Sequence, residues 1–457
     1  MSNEEQRTKN EKRILAVLAT VLVFAAGALE PSTRAQTPAG RWVGTWSTAV
    51  VGRPQTPPAP GPPAPAPFMR NACPAAPAAL ATPPVAPAAG QTFAPPPFTH
   101  FTNQTLRQIV HTSLGGSRLR VVLSNAFGTA PITIGAGHIA LRDTENAIQV
   151  AQGRPLTFSG RSTITVPANA IVYSDPVALA APPLTDLAID LYLPGTTNTA
   201  APLTMHTSSF QTSYISETGN HAGTPTLPTV ATTRNWFLLS RVEVDASGAA
   251  GVIVAFGDSI TDGAASTADT NSRWPDVLAS RLLTSAAGAK MGILNAGIGG
   301  NRVLSEGTYG AGINALARFD IDVLSQTGVT HVIVMEGIND IGNARQNPTP
   351  TAEDLIAAHK QLIARAHAKG VKVLGATLTP FWGAAYYTDV GEAKRQAVND
   401  WIRTGKAYDG VIDFDKATRD PSDSKKLMAA YDSCDHLHPS DAGYKAMAEA
   451  IDLSLFR

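Results

Sequence analysis

The sequence predicts an α/β fold whose second half is a parallel sheet covered by helices, preceded by an antiparallel β-sandwich. Three observations carry this. After about residue 249, short apolar strands alternate with amphipathic helices; before it, short stretches of apolar–polar alternation are separated by turn residues; and a proline-loaded run interrupts the first half just after its opening strand. A chain of 457 residues is too long for one ordinary core and suits two domains. The expected division is a leader at 1–35, a β-sandwich domain at 36–248 and an α/β domain at 249–457.

The leader reads ILAVLATVLVFAAGA at 14–28, behind Lys9, Lys12 and Arg13 and ahead of a small-residue stretch ending at Ala35. Fifteen apolar residues are short for a membrane span and suit a signal-peptide core, so a secreted or periplasmic protein is expected, with an uncleaved N-terminal anchor as the alternative. In an oxidising compartment Cys73 and Cys434, the only two cysteines, are candidates for a disulfide.

Residues 41–49, WVGTWSTAV, read as a strand. The chain then enters PPAPGPPAPAP, and residues 51–100 hold 16 of the 34 prolines together with 13 alanines. Proline at that density supplies no ladder donors and favours extended polyproline II, so 51–99 reads as an insertion between two strands. Beyond it Leu119, Val121 and Leu123 share one face, as do Leu187, Ile189, Leu191 and Leu193. Segments near 105–114, 132–141, 163–174, 210–216 and 236–244 have the same character, which is the pattern of a sandwich.

In the second half the strands are VIVAF (252–256), MGILNAG (291–297), HVIVME (331–336), VKVLGATL (371–378) and VIDFD (411–415). Helical periodicity covers 273–287, 312–326, 353–369, 390–405 and 440–455. Continuously apolar strands imply a sheet buried on both faces, and ligands of such sheets bind beyond the carboxyl ends of the strands.

Chemistry-bearing residues stand at those ends. The first strand runs into Phe256-Gly257-Asp258-Ser259-Ile260-Thr261-Asp262-Gly263, where Ser259 is either a turn-capping residue or a nucleophile at a strand-to-helix junction. The second ends in Asn295-Ala296-Gly297-Ile298-Gly299-Gly300-Asn301-Arg302, and Arg302 occupies the place of the third glycine that a dinucleotide fingerprint requires. A backbone N–H exposed to an oxyanion fits better, with Gly300 preferred and Gly299 as the neighbour alternative. After the third strand, Asn339 can donate from its amide without adding charge. Near the end, Cys434-Asp435-His436-Leu437-His438-Pro439 precedes the last helix. An aspartate three residues before a histidine can curl back to Nδ1, which suits Asp435 and His438 and leaves His436 a surface or packing role. The ten histidines show no zinc spacing, and neither a metal nor a cofactor is called for.

The blocks FGDSITDG, NAGIGGN, GIND and DHLHP make residues 250–457 resemble an SGNH (GDSL-type) hydrolase. The stretches TLRQIVHTSLGGSRLRVVLSNAFG and RFDIDVLSQTGVTHVIVMEGINDIG are similar to a two-domain secreted branch of that family, the xylan-associated arylesterases and acylhydrolases. The resemblance implies a flavodoxin-like three-layer α/β/α domain. It implies Ser259 as nucleophile, with His438 and Asp435 as base and orienter. The oxyanion hole would be the N–H groups of Ser259 and Gly300 and the Asn339 side chain. Ile260 stands where many members carry leucine.

The expected function is therefore a serine esterase acting on short acyl esters, acetyl or aryl, on a small molecule or plant polysaccharide. Acyl transfer by the same residues is one alternative; a carbohydrate- or surface-binding protein with a vestigial hydrolase domain is another. For residues 100–245 the competing expectation is a support that shapes one wall of the cleft. The balance of 36 Lys+Arg against 36 Asp+Glu, with no basic run, argues against nucleic acid as a partner.

Overall fold

The computed structural model describes residues 40–52, 100–197, 203–249, 251–285, 290–306, 310–342 and 348–457. The apolar run at 14–28, most of the Pro/Ala-rich insertion and Cys73 lie outside the described residues.

Among the described residues the first half holds two large antiparallel sheets and two short two-stranded ones, Met205–His206 with Trp236–Phe237 and Ile132–Ile134 with Ile164–Val166. One large sheet joins Trp42–Ser47 to Leu239–Asp245, then to Gly116–Ser124, which pairs with both Ile171–Tyr173 and Val177–Ala181. The strand before the insertion is thus completed by the last strand of this half, Trp42 opposite Asp245. The other large sheet has the order Thr229–Thr233, Ser213–Thr218, Thr102–His111, Asp186–Thr196, Ala136–Leu141 and Arg154–Leu156. Leu119, Val121 and Leu123 of one sheet and Leu187, Ile189, Leu191 and Leu193 of the other are all buried in one apolar cluster, as period-2 alternation requires. The central strand of the second sheet is covered on its other face too. Ala188 joins Ile109, Ala140, Ile148, Tyr214 and Leu227 in a smaller cluster, and Asp190 receives a two-pronged ion pair from Arg107, 2.7 and 2.8 Å.

The second half is a five-stranded parallel sheet of Gly251–Gly257, Met291–Gly297, Val329–Met335, Lys372–Ala376 and Gly410–Ile412. In space the strands stand in the order second, first, third, fourth, fifth, the doubly wound arrangement of flavodoxin-like folds. Alternate residues of the first four strands enter two different cores, which explains their apolar runs, whereas Val411 of the fifth, edge strand is exposed. Val252, Val254 and Phe256 belong to the cluster that also holds the antiparallel sheets, whereas Ile253 and Ala255 pack with Leu278, Leu282, Tyr444 and Met447.

Helices Trp274–Thr284, Ala352–His367 and Asp389–Thr404 stand within about three residues of their sequence-based spans, while the last, Asp441–Glu449, stops six residues short of the expected 455 and is followed by a 3₁₀ turn at Leu453–Phe456. Thr351 closes a capping box with Asp354 at one start. Two further segments differ. The helix expected over 312–326 is Ala315–Phe319 continued by a π-helical turn, Asp320–Leu324. The strand expected over 411–415 stops at Ile412, because the Asp413 side chain caps Lys416 N–H and starts the helix Phe414–Thr418.

Residues 41–457 form one compact unit. The opening strand lies directly on the edge of the parallel sheet, backbone to backbone: a Cβ on Gly292 would sit 2.2 Å from the Gly44 carbonyl oxygen. Gly44 N–H donates to Thr327 O (3.0 Å), and Ile293 N–H, on the sheet's edge strand, donates to Ser113 Oγ (2.9 Å). The antiparallel half therefore packs over the edge strand and takes up one of its donors, Ile293 N–H, through Ser113.

Candidate active site

Gly257 ends the first parallel strand where there is no room for a side chain; a Cβ would lie 2.1 Å from Thr261 Oγ1 and 2.6 Å from Met335 O. The Asp258 side chain then accepts from Ile260 N–H (2.9 Å) and starts the single turn Ser259–Asp262, which Gly263 closes at φ +102°. Ser259 is placed on that turn, 9% exposed, with Oγ 2.8 Å from His438 Nε2.

On the other side of the imidazole, His438 Nδ1 is 2.6 Å from Asp435 Oδ2. A carboxylate at Nδ1 places the proton there and leaves the Nε2 lone pair to accept from the serine hydroxyl. Asp435 Oδ1 accepts the backbone N–H of His438 (2.8 Å) and of Leu437 (2.9 Å). Burial works against its charge, but the bond to and charge of His438, with these two N–H donors, hold its carboxyl well below the usual carboxylate range. The turn depends on left-handed backbone at Cys434 (φ 78°) and His436 (φ 61°). His436 pairs instead with Asp432 through Nδ1 (2.6 Å). Cys434 is not a free thiol, while the Cys73 end of the suggested bridge falls outside the described residues.

Gly300 has φ +74°, a conformation that favours glycine, in the loop after the second strand. Asn339 follows the third strand, 4% exposed, and one of its amide hydrogens donates to Asn301 O (3.0 Å). That bond ties the amide to the residue after Gly300 and leaves the second amide hydrogen for another acceptor. The Asp340 carboxylate clasps the same loop, accepting from Val303 N–H (2.8 Å) and Leu304 N–H (3.0 Å).

Beneath these groups lies Arg318, 2% exposed. It donates to Gly257 O (2.8 Å), Ala296 O (2.7 Å), Asn301 Oδ1 (2.8 Å), Asp322 Oδ2 (3.0 Å) and Glu336 Oε1 (3.0 Å). One guanidinium thus joins the ends of the three strands that carry Ser259, Gly300 and Asn339. Carboxyls outnumber the cation here. Burial pushes Asp258 and Asp340 each up to about 6. Burial and the neighbouring Asp258 push Glu336 well above its usual value, Arg318 offsetting only part of this. Arg318 and Asp262 carry no signal of their own in the sequence; in the string ARFD an arginine looks like one more solvent-facing helical residue. Among the described residues, no group of three or more His, Cys, Asp or Glu is arranged to hold a metal ion.

Residues 255–446 match the GDSL-like lipase/acylhydrolase family. This stretch of the chain is a GDSL-like hydrolase domain. The domain is similar in structure to the native M. smegmatis aryl esterase, at 19% identity over 44% of this chain and 96% of that one, TM-score 0.34. A GDSL-like lipase from Bacteroides thetaiotaomicron is 19% identical over 45% and 87%, TM-score 0.34. A carbohydrate acetylesterase from Sinorhizobium meliloti is 17% identical over 44% and 95%, TM-score 0.34. No curated protein matches the sequence. All five residues expected to act together, Ser259, Gly300, Asn339, Asp435 and His438, stand at the carboxyl-end rim of the hydrolase domain's sheet or in the loop before its last helix.

Proposed function

We propose that the protein is a serine esterase that hydrolyses short-chain carboxylic esters, acetyl or aryl, through an acyl-serine intermediate. The observation that carries this is the unbroken chain from Ser259 Oγ to His438 Nε2 (2.8 Å) and from His438 Nδ1 to Asp435 Oδ2 (2.6 Å). Ser259 attacks the acyl carbonyl as His438 takes its proton. The oxyanion accepts from the N–H groups of Ser259 and Gly300 and from the second amide hydrogen of Asn339. His438 passes its proton to the leaving alcohol, then activates a water that releases the acyl group. Asp435, held ionised, fixes the tautomer and steadies the imidazolium as it forms.

No long apolar segment accompanies the four blocks, which supports a short acyl chain. The apolar run at 14–28 supports export. Among the described residues no helix is long and apolar enough to cross a membrane. Turnover of an ester series from acetate to palmitate, beside acetate release from acetylated xylan, tests the substrate class; activity that peaks at long chains contradicts it. Ser259→Ala should abolish turnover and the burst of acyl-enzyme, and an undiminished rate in that variant rules the mechanism out.

A further inference from the structure

One histidine of the antiparallel half reaches the nucleophile turn. His206, on the short strand Met205–His206, is 2% exposed, and its ring lies tilted by 32° against Trp236 at a centroid distance of 5.5 Å. Trp236 is itself fixed, with Nε1 donating to Ile109 O (2.8 Å) and its ring meeting Trp46 edge-on at 4.9 Å. The imidazole therefore has little freedom. Its Nδ1 lies 2.7 Å from Ala49 O, and its Nε2 lies 3.0 Å from Asp262 Oδ1.

Both neighbours of this ring are acceptors. A carbonyl oxygen cannot donate, so Nδ1 carries a hydrogen; a neutral imidazole then has none left for Nε2. The contact between Nε2 and Asp262 consequently needs one further proton, which the two groups hold between them as imidazolium–carboxylate or imidazole–carboxylic acid. In either form the pair is neutral overall, which is how an ionisable pair survives burial.

Asp262 occupies the seam between nucleophile and oxyanion loop. Its N–H closes the turn onto Asp258 O (2.9 Å). Its backbone presses against the end of the second parallel strand so closely that a Cβ on Gly297 would lie 2.2 Å from Asp262 N. A Cβ on Gly299 would face Asp262 Oδ2 at 4.0 Å. The place of Asp262 thus sets how far Ser259 stands from the Gly299–Gly300 backbone.

We propose that His206 is a positioning residue for the oxyanion hole: through the proton it shares with Asp262, the antiparallel half holds the serine turn and the glycine loop at their working separation. This rests on the esterase reading and adds to it that the catalytic site is completed by a residue outside the hydrolase domain.

The test is a double-mutant cycle on the full chain with His206→Ala, Asp262→Ala and the pair, His206→Asn serving if the alanine variant fails to fold. Displacement of a reacting atom by about 1 Å is worth on the order of a hundredfold, so each single variant should lose roughly ten- to a hundredfold in kcat with KM for a small acetyl ester moving less than about threefold. The double variant should lose no more than either single one. A trifluoromethyl ketone, which forms a tetrahedral adduct, should weaken in step with kcat/KM, whereas a merely structural role leaves its affinity for folded enzyme unchanged. Additive losses, or a folded His206 variant with normal kcat, overturn the proposal. If wild type turns over esters and Ser259→Ala does not, those results sink this inference alone; a wild type without turnover sinks the esterase reading. Nitrogen-15 NMR decides the pairing independently of activity, since Nδ1 of His206 must be protonated and a bare Nδ1 refutes the geometry.

Discussion

Both halves of the molecule bury arginines, and two of them, Arg107 and Arg318, one from each half, are used differently. In the antiparallel half Arg107 is matched to one carboxylate, Asp190, at side-chain exposures of 0% and 1%, and it also donates to Asn146 O and Thr224 O. In the parallel half Arg318 faces Asp322 and Glu336 directly, with Asp258 close by, and burial raises all three carboxyls. A one-to-one pair specifies packing; a surplus of carboxyls around one cation is a poor device for stability alone. Its value lies in what Arg318 touches, the strand ends that present the serine, the glycine loop and the asparagine. Stability in one half and geometry in the other is the contrast to probe.

The largest effect should come from Asp435→Asn. It keeps the shape of the loop but offers an amide to Nδ1, favouring the wrong tautomer, so kcat should fall by about 10⁴ with little change in KM. Steady-state kinetics measure this, and a loss below about tenfold contradicts the role of Asp435. Next, Asn339→Ala removes one oxyanion donor and should cost on the order of 10² to 10³ in kcat, about 2.7–4 kcal/mol. Its melting temperature should move far less than its rate; a variant that loses stability but not turnover would place Asn339 among structural caps instead.

In the other half the expectation reverses. Arg107→Ala strands Asp190 as a buried, uncompensated charge and should cost about 3–5 kcal/mol in urea unfolding. The fraction that remains folded should hydrolyse esters within about twofold of wild type, because Arg107 touches none of the catalytic loops. A fall in kcat per folded molecule would show that the halves are coupled beyond the His206 contact.

The smallest effect is the pH dependence of stability. A carboxyl whose folded pKa is raised adds stability that is full below its unfolded value and lost as pH rises through the folded one. For Asp258, raised from 3.8 to about 6, that loss falls between about pH 4 and 6. Asp258→Asn keeps an acceptor for Ile260 N–H and does not titrate, so its stability relative to wild type should climb across that window. Asp435 contributes with the opposite sign, its stabilisation disappearing only in stronger acid. Urea midpoints at a series of pH values measure both, and a flat difference between Asp258→Asn and wild type would show that Asp258 is already ionised.

Much of this was legible from pattern. The strand spans at 252–256, 291–297 and 331–336 hold to within two residues, because a sheet buried on both faces must be apolar at every position. Ser259, Gly300, Asn339, Asp435 and His438 stood out because each follows a strand or precedes the last helix, where local sequence makes the turn that aims it. The misjudged segments have local causes: Asp413 caps a helix where the apolar run alone reads as strand, and the stretch from Asp320 widens into a π-turn. Arg318, Asp262 and His206 were not legible. Nothing near Arg318 in the chain says that its five acceptors converge from three other segments and its own helix, and nothing near His206 says that it meets a residue 56 positions away.

The division at residue 248 teaches the same lesson. Composition and periodicity change there because the sheet changes from antiparallel to parallel, and periodicity reports only which face of an element is buried. It does not report against what. Val43, Val121 and Leu187 of the antiparallel half and Val254, Leu294 and Val334 of the parallel half lie in one cluster, so two patterns of strand share a core. Local order, from strands to catalytic turns, follows from side-chain spacing along the chain. Which buried charge meets which, and that a histidine from one sheet system steadies a serine in the other, follows only from packing distant segments into contact.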